Sequence, residues 1–172
     1  VEAVGRLAQD RSLPDFRLII AGQGSPEYIA QLQQLALSYE AQHKVSFRGW
    51  MPREHMPALM HSCHILLLPT VHQEPFARVI LEGMAAGLAV VGTATGGTIE
   101  LLQDGINGLV CAPDDSVDLA RQLALLISDS ELRHRLATRG QEIVLSQYSL
   151  THMVDDMEGW LERAVADGQS QE

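Results

Sequence analysis

Short aliphatic runs alternate with stretches of helical periodicity over the first two thirds of this chain, and this alternation constrains the fold more than any other feature. Five runs have this character: Phe16 to Ala21, interrupted only by Arg17, Val45 to Phe47, Ile65 to Leu68, Leu88 to Gly92 and Leu109 to Cys111. A strand that is apolar on both faces must be covered on both, as in a parallel sheet flanked by crossover helices. The pattern predicts a doubly wound, Rossmann-like α/β fold.

Helical periodicity fills the segments between and after these strands. Predicted helices cover 1–8, 26–41, 54–61 and 78–86, and three successive helices follow Pro113, near 117–127, 131–145 and 150–166. The last three each carry an apolar stripe: Leu119, Leu123 and Leu126; Leu132, Leu136 and Ile143; Met153, Met157 and Leu161. Because a chain of 172 residues needs only one core, we expect a single domain, 1–172, that ends in a polar tail, Asp167 to Glu172.

The opening segment has apolar residues at positions 1, 4, 7 and 8, which is helical spacing. A chain that starts inside a helix, on Val1, is expected to be a piece of a longer protein. In the strand order 3-2-1-4-5-6 of a doubly wound fold the first strand is central, so we expect the sheet to lack that strand. Two open strand edges would favour rearranged pairing, marginal stability or self-association.

A rival alignment makes Val4-Gly5-Arg6-Leu7 the first strand, with Arg6 and Arg11 as phosphate ligands. This alternative is disfavoured because the apolar stripe is helical. It would also leave no helix before the strand at Phe16.

Composition excludes several classes of function. Twelve basic and 22 acidic residues give a net charge of −10, which would repel a nucleic acid or an anionic membrane surface. No aliphatic run is long enough to insert into a membrane. Cys63 and Cys111 are far apart and form no C-x-x-C motif, so the chain is compatible with a reducing cytosol. We expect a cytoplasmic protein that binds no nucleic acid.

Two motifs are similar to cofactor-binding sites, but the surrounding residues argue against both sites. Gly22-Gln23-Gly24 follows a predicted strand, but Glu27 occupies the third glycine position of a dinucleotide fingerprint and would oppose a pyrophosphate. Gly22 is therefore interpreted as part of a tight turn beside a ligand cleft. His61, Cys63 and His64 could each bind zinc, but no fourth ligand occurs at family spacing.

The segment Pro69 to Gly87 carries the clearest functional signal. It begins at the carboxyl end of a predicted parallel strand and continues into a helix N-terminus, where free N–H groups can receive a phosphate. Glu74 lies before that helix and Glu82 about one turn inside it. Two carboxylates so placed could hold the hydroxyls at both ends of a nucleotide-sugar, with its diphosphate between them. Alternatively, Glu74 caps the helix and Glu82 is a surface residue, and spacing alone does not decide between the two.

A resemblance to a known family rests on ordered motifs over nearly the whole chain. These are Glu74 to Gly87, Ala89-Val90-Val91-Gly92, Thr95-Gly96-Gly97-Thr98-Ile99-Glu100 and Gly105-Ile106-Asn107-Gly108-Leu109-Val110, with Leu18-Ile19-Ile20-Ala21-Gly22 and Val45-Ser46-Phe47-Arg48-Gly49-Trp50 upstream. In this order and at this spacing they resemble the signature region of the GT4 family of retaining glycosyltransferases, which have the GT-B fold.

The resemblance implies a role for each residue of the site. Glu74 would bind the donor sugar near the reacting centre, and Glu82 the ribose hydroxyls. The backbone N–H groups that follow Phe76 would approach the sugar and the diphosphate, and they belong to Ala77, Arg78 and Val79. Main chain at Trp50 and Met51 would contact the base, with Gly22 beside the donor. Ala77 replaces the usual glycine, so we expect its methyl group to narrow the donor site or to alter the choice of sugar.

The implied protein is the C-terminal, donor-binding domain of a retaining GT-B glycosyltransferase. Its donor would be a UDP- or GDP-sugar, and no metal or cofactor is implied. The N-terminal domain would hold a carbohydrate or lipid-linked acceptor, so this chain alone should be inactive. The whole enzyme is compatible with a peripheral position at the inner face of a membrane. The alternative is a non-catalytic nucleotide-sugar binding or scaffold module of the same fold.

Overall fold

A computed structural model describes residues 1–73 and 75–169 of this chain. Its elements are, in chain order, α1 (Glu2–Ala8), β1 (Leu18–Ala21), α2 (Pro26–Ser38), β2 (Val45–Gly49), α3 (Met56–His61), β3 (Ile65–Leu68), α4 (Arg78–Ala85), β4 (Ala89–Thr93), α5 (Thr98–Leu101), β5 (Leu109–Cys111), α6 (Ser116–Ser128), α7 (Ser130–Gln147) and α8 (Leu150–Gln169). Short 3-10 turns at Gln42–Lys44 and Arg53–His55 precede β2 and α3. The alternation of strands and helices predicted from the sequence is confirmed.

The strands form two parallel sheets. β1 pairs with β2, and β3, β4 and β5 pair in that order. No backbone hydrogen bond joins β1 to β3 in the part of the chain that the structure describes. The opening segment is helix α1, so the rival alignment with a strand at Val4 to Leu7 is wrong. β1 and β3 are thus not paired with each other, and an open position between them, like self-association through these edges, stays a prediction.

The core lies on both faces of β4, whose five residues are all buried. Ala89 and Val91 face a cluster built with α1, α6 and α7, whereas Val90 belongs to a second cluster with α4 and α5. Successive side chains of a strand point to opposite faces, so helices cover this sheet on both sides. The structure therefore confirms the doubly wound α/β class.

Three local features differ from the sequence-based prediction. β1 begins at Leu18 because Phe16 instead packs its ring against the Lys44 ammonium, 4.6 Å from the ring centroid. α5 was not predicted, because four residues are too few to show a helical period. The stripe of α8 does not enter the core, since Met153, Met157 and Leu161 are exposed.

The carboxyl end of α8 overlaps the predicted polar tail. The helix continues to Gln169, so the first three residues of that tail are helical. The rest of the tail, 170–172, lies outside the described residues. Within the described ranges, none of the helices has both the length and the apolar character to span a bilayer.

Candidate functional site

The loop between β3 and α4 is tied to the segment that follows β4. Thr93 Oγ1 donates a hydrogen bond to the Thr70 carbonyl at 2.6 Å, and Thr95 Oγ1 donates to the His72 carbonyl at 3.2 Å. Both bonds lie at the carboxyl ends of neighbouring parallel strands, where open α/β sheets bind ligands. Thr70 and His72 are therefore held at the ligand-binding edge of the sheet.

Gly97 supports the loop where it enters α4. A Cβ atom at this position would overlap the Pro75 carbonyl oxygen and would lie 3.3 Å from the Phe76 Cα. Only a residue without a side chain permits this approach of two backbone segments. The Gly96-Gly97 turn thus packs directly against the backbone of Pro75 and Phe76, which lie just before the first turn of α4.

The amino end of α4 differs from those of the other long helices. Side chains of Ser25, Asp115 and Asp129 cap α2, α6 and α7, and each of those helices has an acidic residue in its first turn. α4 follows Ala77, has no side-chain cap and has no acidic residue in its first turn. Its positive helix-dipole end is therefore left without a negative partner among the described side chains.

The first turn of α4 also presents unpaired hydrogen-bond donors. The Arg78 amide bonds the Phe76 carbonyl and the Ile80 amide bonds the Ala77 carbonyl, at 3.0 and 2.9 Å. None of the described residues accepts a hydrogen bond from the amides of Phe76, Ala77 or Val79. Arg78 adds an exposed guanidinium at the first helical position, where a cation is disfavoured unless an anion is close by. Chemically, this helix start can bind an anion.

The side chains around this helix start fall into two groups. Ala77 is 2% exposed and its methyl group packs in the core beside Ile80 and Met84, so it does not narrow the donor side as expected. Its φ of −83° also needs no glycine. Glu82 is exposed in the second turn of α4 and Val79 is half-buried. Phe76 is 40% exposed, with its ring centroid 6.4 Å from that of Tyr148.

The other predicted site residues lie at the ends of β1 and β2. Gly22 follows β1 with φ 143°, and its amide donates to the Gly49 carbonyl at 2.8 Å. Trp50 follows β2 and is 64% exposed, and Met51 is half-buried. In the described ranges no hydrogen bond or ring contact links these three residues to α4. Glu74 lies outside the described residues.

The cysteines and histidines do not form a cluster. His61 ends α3, Cys63 is half-buried and His64 is exposed. Nowhere in the described ranges do three or more His, Cys, Asp or Glu side chains come together as metal ligands would. Burial, reinforced by the Asp118 charge, raises the pKa of the Cys111 thiol to about 11, so this thiol stays protonated at neutral pH.

Sequence reasoning assigned no role to the threonines that fix the loop. Thr93 and Thr95 follow an aliphatic run, but nothing in their spacing predicts that they bond carbonyls 23 residues earlier in the chain. Gly97 carried a better signal, because two adjacent glycines after a strand indicate a close backbone approach.

Comparisons with known proteins agree with this geometry. The family model described as glycosyl transferases group 1 matches residues 1–143. A lipopolysaccharide core biosynthesis glycosyltransferase of Rhizobium meliloti is 32% identical over 155 residues, which is 90% of this chain and 42% of that protein. An N-acetyl-alpha-D-glucosaminyl L-malate synthase of Bacillus anthracis is 31% identical over 84% of this chain and 36% of its own. This chain thus spans less than half the length of these relatives.

Solved structures with the same fold include the Anabaena protein HepE in complex with UDP and glucose. It superposes with a TM-score of 0.82 at 27% identity, covering 94% of this chain and 44% of HepE. The C-terminal domain of a group 1 glycosyl transferase of Francisella tularensis superposes with a TM-score of 0.79, also at 27% identity, over 87% of this chain and 77% of that one. The architecture is that of a GT-B C-terminal domain, and the chain belongs to the family of group 1 glycosyl transferases.

Proposed function

We propose that this chain is the donor-binding domain of a retaining glycosyltransferase of the GT4 family, and that its donor is a UDP- or GDP-sugar. The observation that carries the proposal is the uncapped amino end of α4, with free amides at Ala77 and Val79 and the Arg78 guanidinium beside them. A diphosphate would satisfy all three features at once. No other helix of eight or more residues whose amino end the structure describes combines them.

The two glutamates would then hold the two ends of the donor. Glu82 lies in the second turn of α4, exposed to solvent, so its carboxylate is free to accept hydrogen bonds from both ribose hydroxyls. Glu74 precedes the helix in the chain and is assigned to the sugar. Trp50 and Met51 follow β2, and their main chain is assigned to the base.

The reaction breaks the bond between the anomeric carbon and the diphosphate oxygen and forms a bond to an acceptor hydroxyl on the same face. Positive charge develops on the sugar ring while negative charge builds on the departing diphosphate. The free amides at the α4 start and Arg78 would stabilise the diphosphate. A carboxylate at position 74 would orient the sugar hydroxyls and stabilise the ring charge, so the reaction needs no metal from these residues.

Relatives support the choice of donor and leave the acceptor to another part of the protein. HepE, which is similar in fold, was solved with UDP and with UDP-glucose. Because the chain spans 42% of the Rhizobium relative, we assign acceptor binding, to a carbohydrate or lipid-linked group, to a region outside these 172 residues.

The test is nucleotide binding by the intact protein. Titration calorimetry with UDP and with GDP should give saturable binding of at least one of them. Glu82→Ala should weaken that binding about tenfold to a hundredfold, the equivalent of one or two charge-assisted hydrogen bonds. Glu158→Ala, on the exposed α8, is the matched control and should bind as the wild type does. Unchanged affinity in Glu82→Ala would rule out the ribose role, and binding without any sugar turnover would favour the non-catalytic module.

A further inference from the structure

One buried hydroxyl in this molecule lacks a hydrogen-bond partner. Thr98 is fully buried, and its Oγ1 is the only such unpaired side-chain oxygen or nitrogen in the part of the chain that the structure describes. Buried polar atoms in folded proteins are nearly always paired, because leaving one unpaired costs its full desolvation. A valine would fill the same space without that cost, so the hydroxyl calls for an explanation.

Thr98 directly follows a series of contacts between two backbone segments. The hydroxyls of Thr93 and Thr95 bond the carbonyls of Thr70 and His72. The Gly97 Cα then abuts the Pro75 carbonyl. Thr98 is the next residue, and it is the only one of the three threonines whose hydroxyl has no carbonyl to bond.

The Pro75 carbonyl is the unpaired acceptor at this place. None of the described residues donates a hydrogen bond to it. It points towards Gly97, since a Cβ atom there would overlap it. The peptide between Pro75 and Phe76 is trans, so its N–H points the opposite way, to the side of the loop away from Gly97. The same rigid peptide therefore carries the Pro75 carbonyl on the side of Gly97 and the Phe76 N–H on the opposite side.

We propose that Thr98 is a positioning residue for donor binding: when the donor binds, its hydroxyl donates to the Pro75 carbonyl and thereby holds the Phe76 amide towards the donor diphosphate. This inference rests on the proposed function. An anion at the α4 start attracts the Phe76 amide outward, and the rigid peptide plane turns the carbonyl further in, towards Thr98. The hydrogen bond and the bound diphosphate thus stabilise each other, and Thr98 itself does not touch the donor.

The experiment compares Thr98→Val and Thr98→Ala, which remove the hydroxyl, with Thr98→Ser, which keeps it. In the intact protein, Thr98→Val should unfold at an equal or higher temperature than the wild type without nucleotide, because it removes an unpaired buried polar atom. Its Kd for UDP, or for GDP if that is the nucleotide bound, should rise about five- to tenfold, which is the net effect of one hydrogen bond. Thr98→Ala should lose the same affinity, and Thr98→Ser should bind like the wild type.

Kinetics separate positioning from a general structural defect. With a turned-over sugar donor, Thr98→Val should raise the donor KM while kcat at saturating donor changes less than twofold. Wild-type affinity in both Thr98→Val and Thr98→Ala would overturn the inference and leave the proposed function intact. So would an affinity loss in Thr98→Ser as large as in Thr98→Val. A wild-type protein that binds neither UDP nor GDP would overturn both.

Discussion

The two sheets of this domain have similar aliphatic strands but differ in how well those strands are buried. In the three-stranded region, formed by β3 to β5 with α4 to α7, all residues of β4 are buried between two clusters. In the two-stranded region, formed by β1 and β2 with α2 and α3, only Ala36, Ala41 and Met60 are buried between positions 16 and 61. The central strand β4 is thus enclosed on both faces, whereas neither β1 nor β2 has a buried residue.

β3 shows that composition does not decide this difference. Its four residues are as aliphatic as those of β4, and they pack against the same two clusters, Ile65 and Leu67 on one face and Leu66 and Leu68 on the other. Every one of them is nonetheless only half-buried. β5 also pairs with β4 alone, yet its Leu109 and Cys111 are buried. The number of paired neighbours therefore does not decide burial either, and the helices packed against each strand must contribute.

The largest effect should come from a substitution beside the three-stranded region. Glu74→Gln removes the charge assigned to the sugar ring and should lower turnover about a hundred- to a thousandfold, the usual effect of losing one electrostatic contact in a transition state. Binding of UDP or GDP should hardly change. Trp50→Pro, in the two-stranded region, removes a main-chain N–H assigned to the base, so it should instead weaken nucleotide binding and leave turnover at saturating donor nearly intact.

These two variants, assayed side by side for donor turnover and nucleotide affinity, test whether chemistry and nucleoside binding are divided between the regions. If Trp50→Pro lowered turnover as much as Glu74→Gln does, the division would be wrong. An equal loss of affinity for free nucleotide in both variants would also contradict this division.

The sequence predicted those parts of the fold that depend on local pattern. β3 and β5 have the predicted bounds, since Pro69 stops the first and the Asp104 to Gly108 turn precedes the second. Helix α1 followed from one helical stripe at Val1 to Ala8. Contacts between distant segments had no such signal. The unpaired hydroxyl of Thr98 and the close contact of Gly97 with Pro75 depend on how two loops meet in space. The periodicity of the sequence carries no information about such a contact.

A pair of isoleucine variants should measure the difference in burial directly. Ile80 in α4 is completely buried, and Ile29 in α2 is half-buried. Ile80→Ala leaves a cavity among packed neighbours and should reduce the free energy of unfolding by about 2–5 kcal/mol. Ile29→Ala should cost under about 1.5 kcal/mol, because solvent already reaches that side chain. Urea denaturation of both variants provides the measurement, and equal losses would contradict a thinner core in the two-stranded region.

The smallest effect concerns two aspartates, one in each region, whose pKa values lie below the usual 3.8 for different reasons. Asp118 in α6 accepts a hydrogen bond from the Ala112 amide at 2.8 Å and is paired with Arg121, whereas Asp15, before β1, has a lowered pKa mainly because of the Lys44 ammonium at 2.9 Å. A lowered pKa in the folded protein means that each carboxylate stabilises the fold fully above the unfolded pKa and loses that contribution as the pH falls through the folded value.

The gap in unfolding temperature between wild type and Asp118→Asn should therefore be largest near pH 6 and shrink towards pH 2. For Asp15→Asn the gap should follow the same direction but be smaller and disappear in 1 M salt, since the Asp15 side chain is 77% exposed. Thermal unfolding at pH 2, 4 and 6, with and without salt, separates the two, and a gap for Asp118→Asn that salt removes as completely as for Asp15→Asn would mean that the Ala112 hydrogen bond adds nothing.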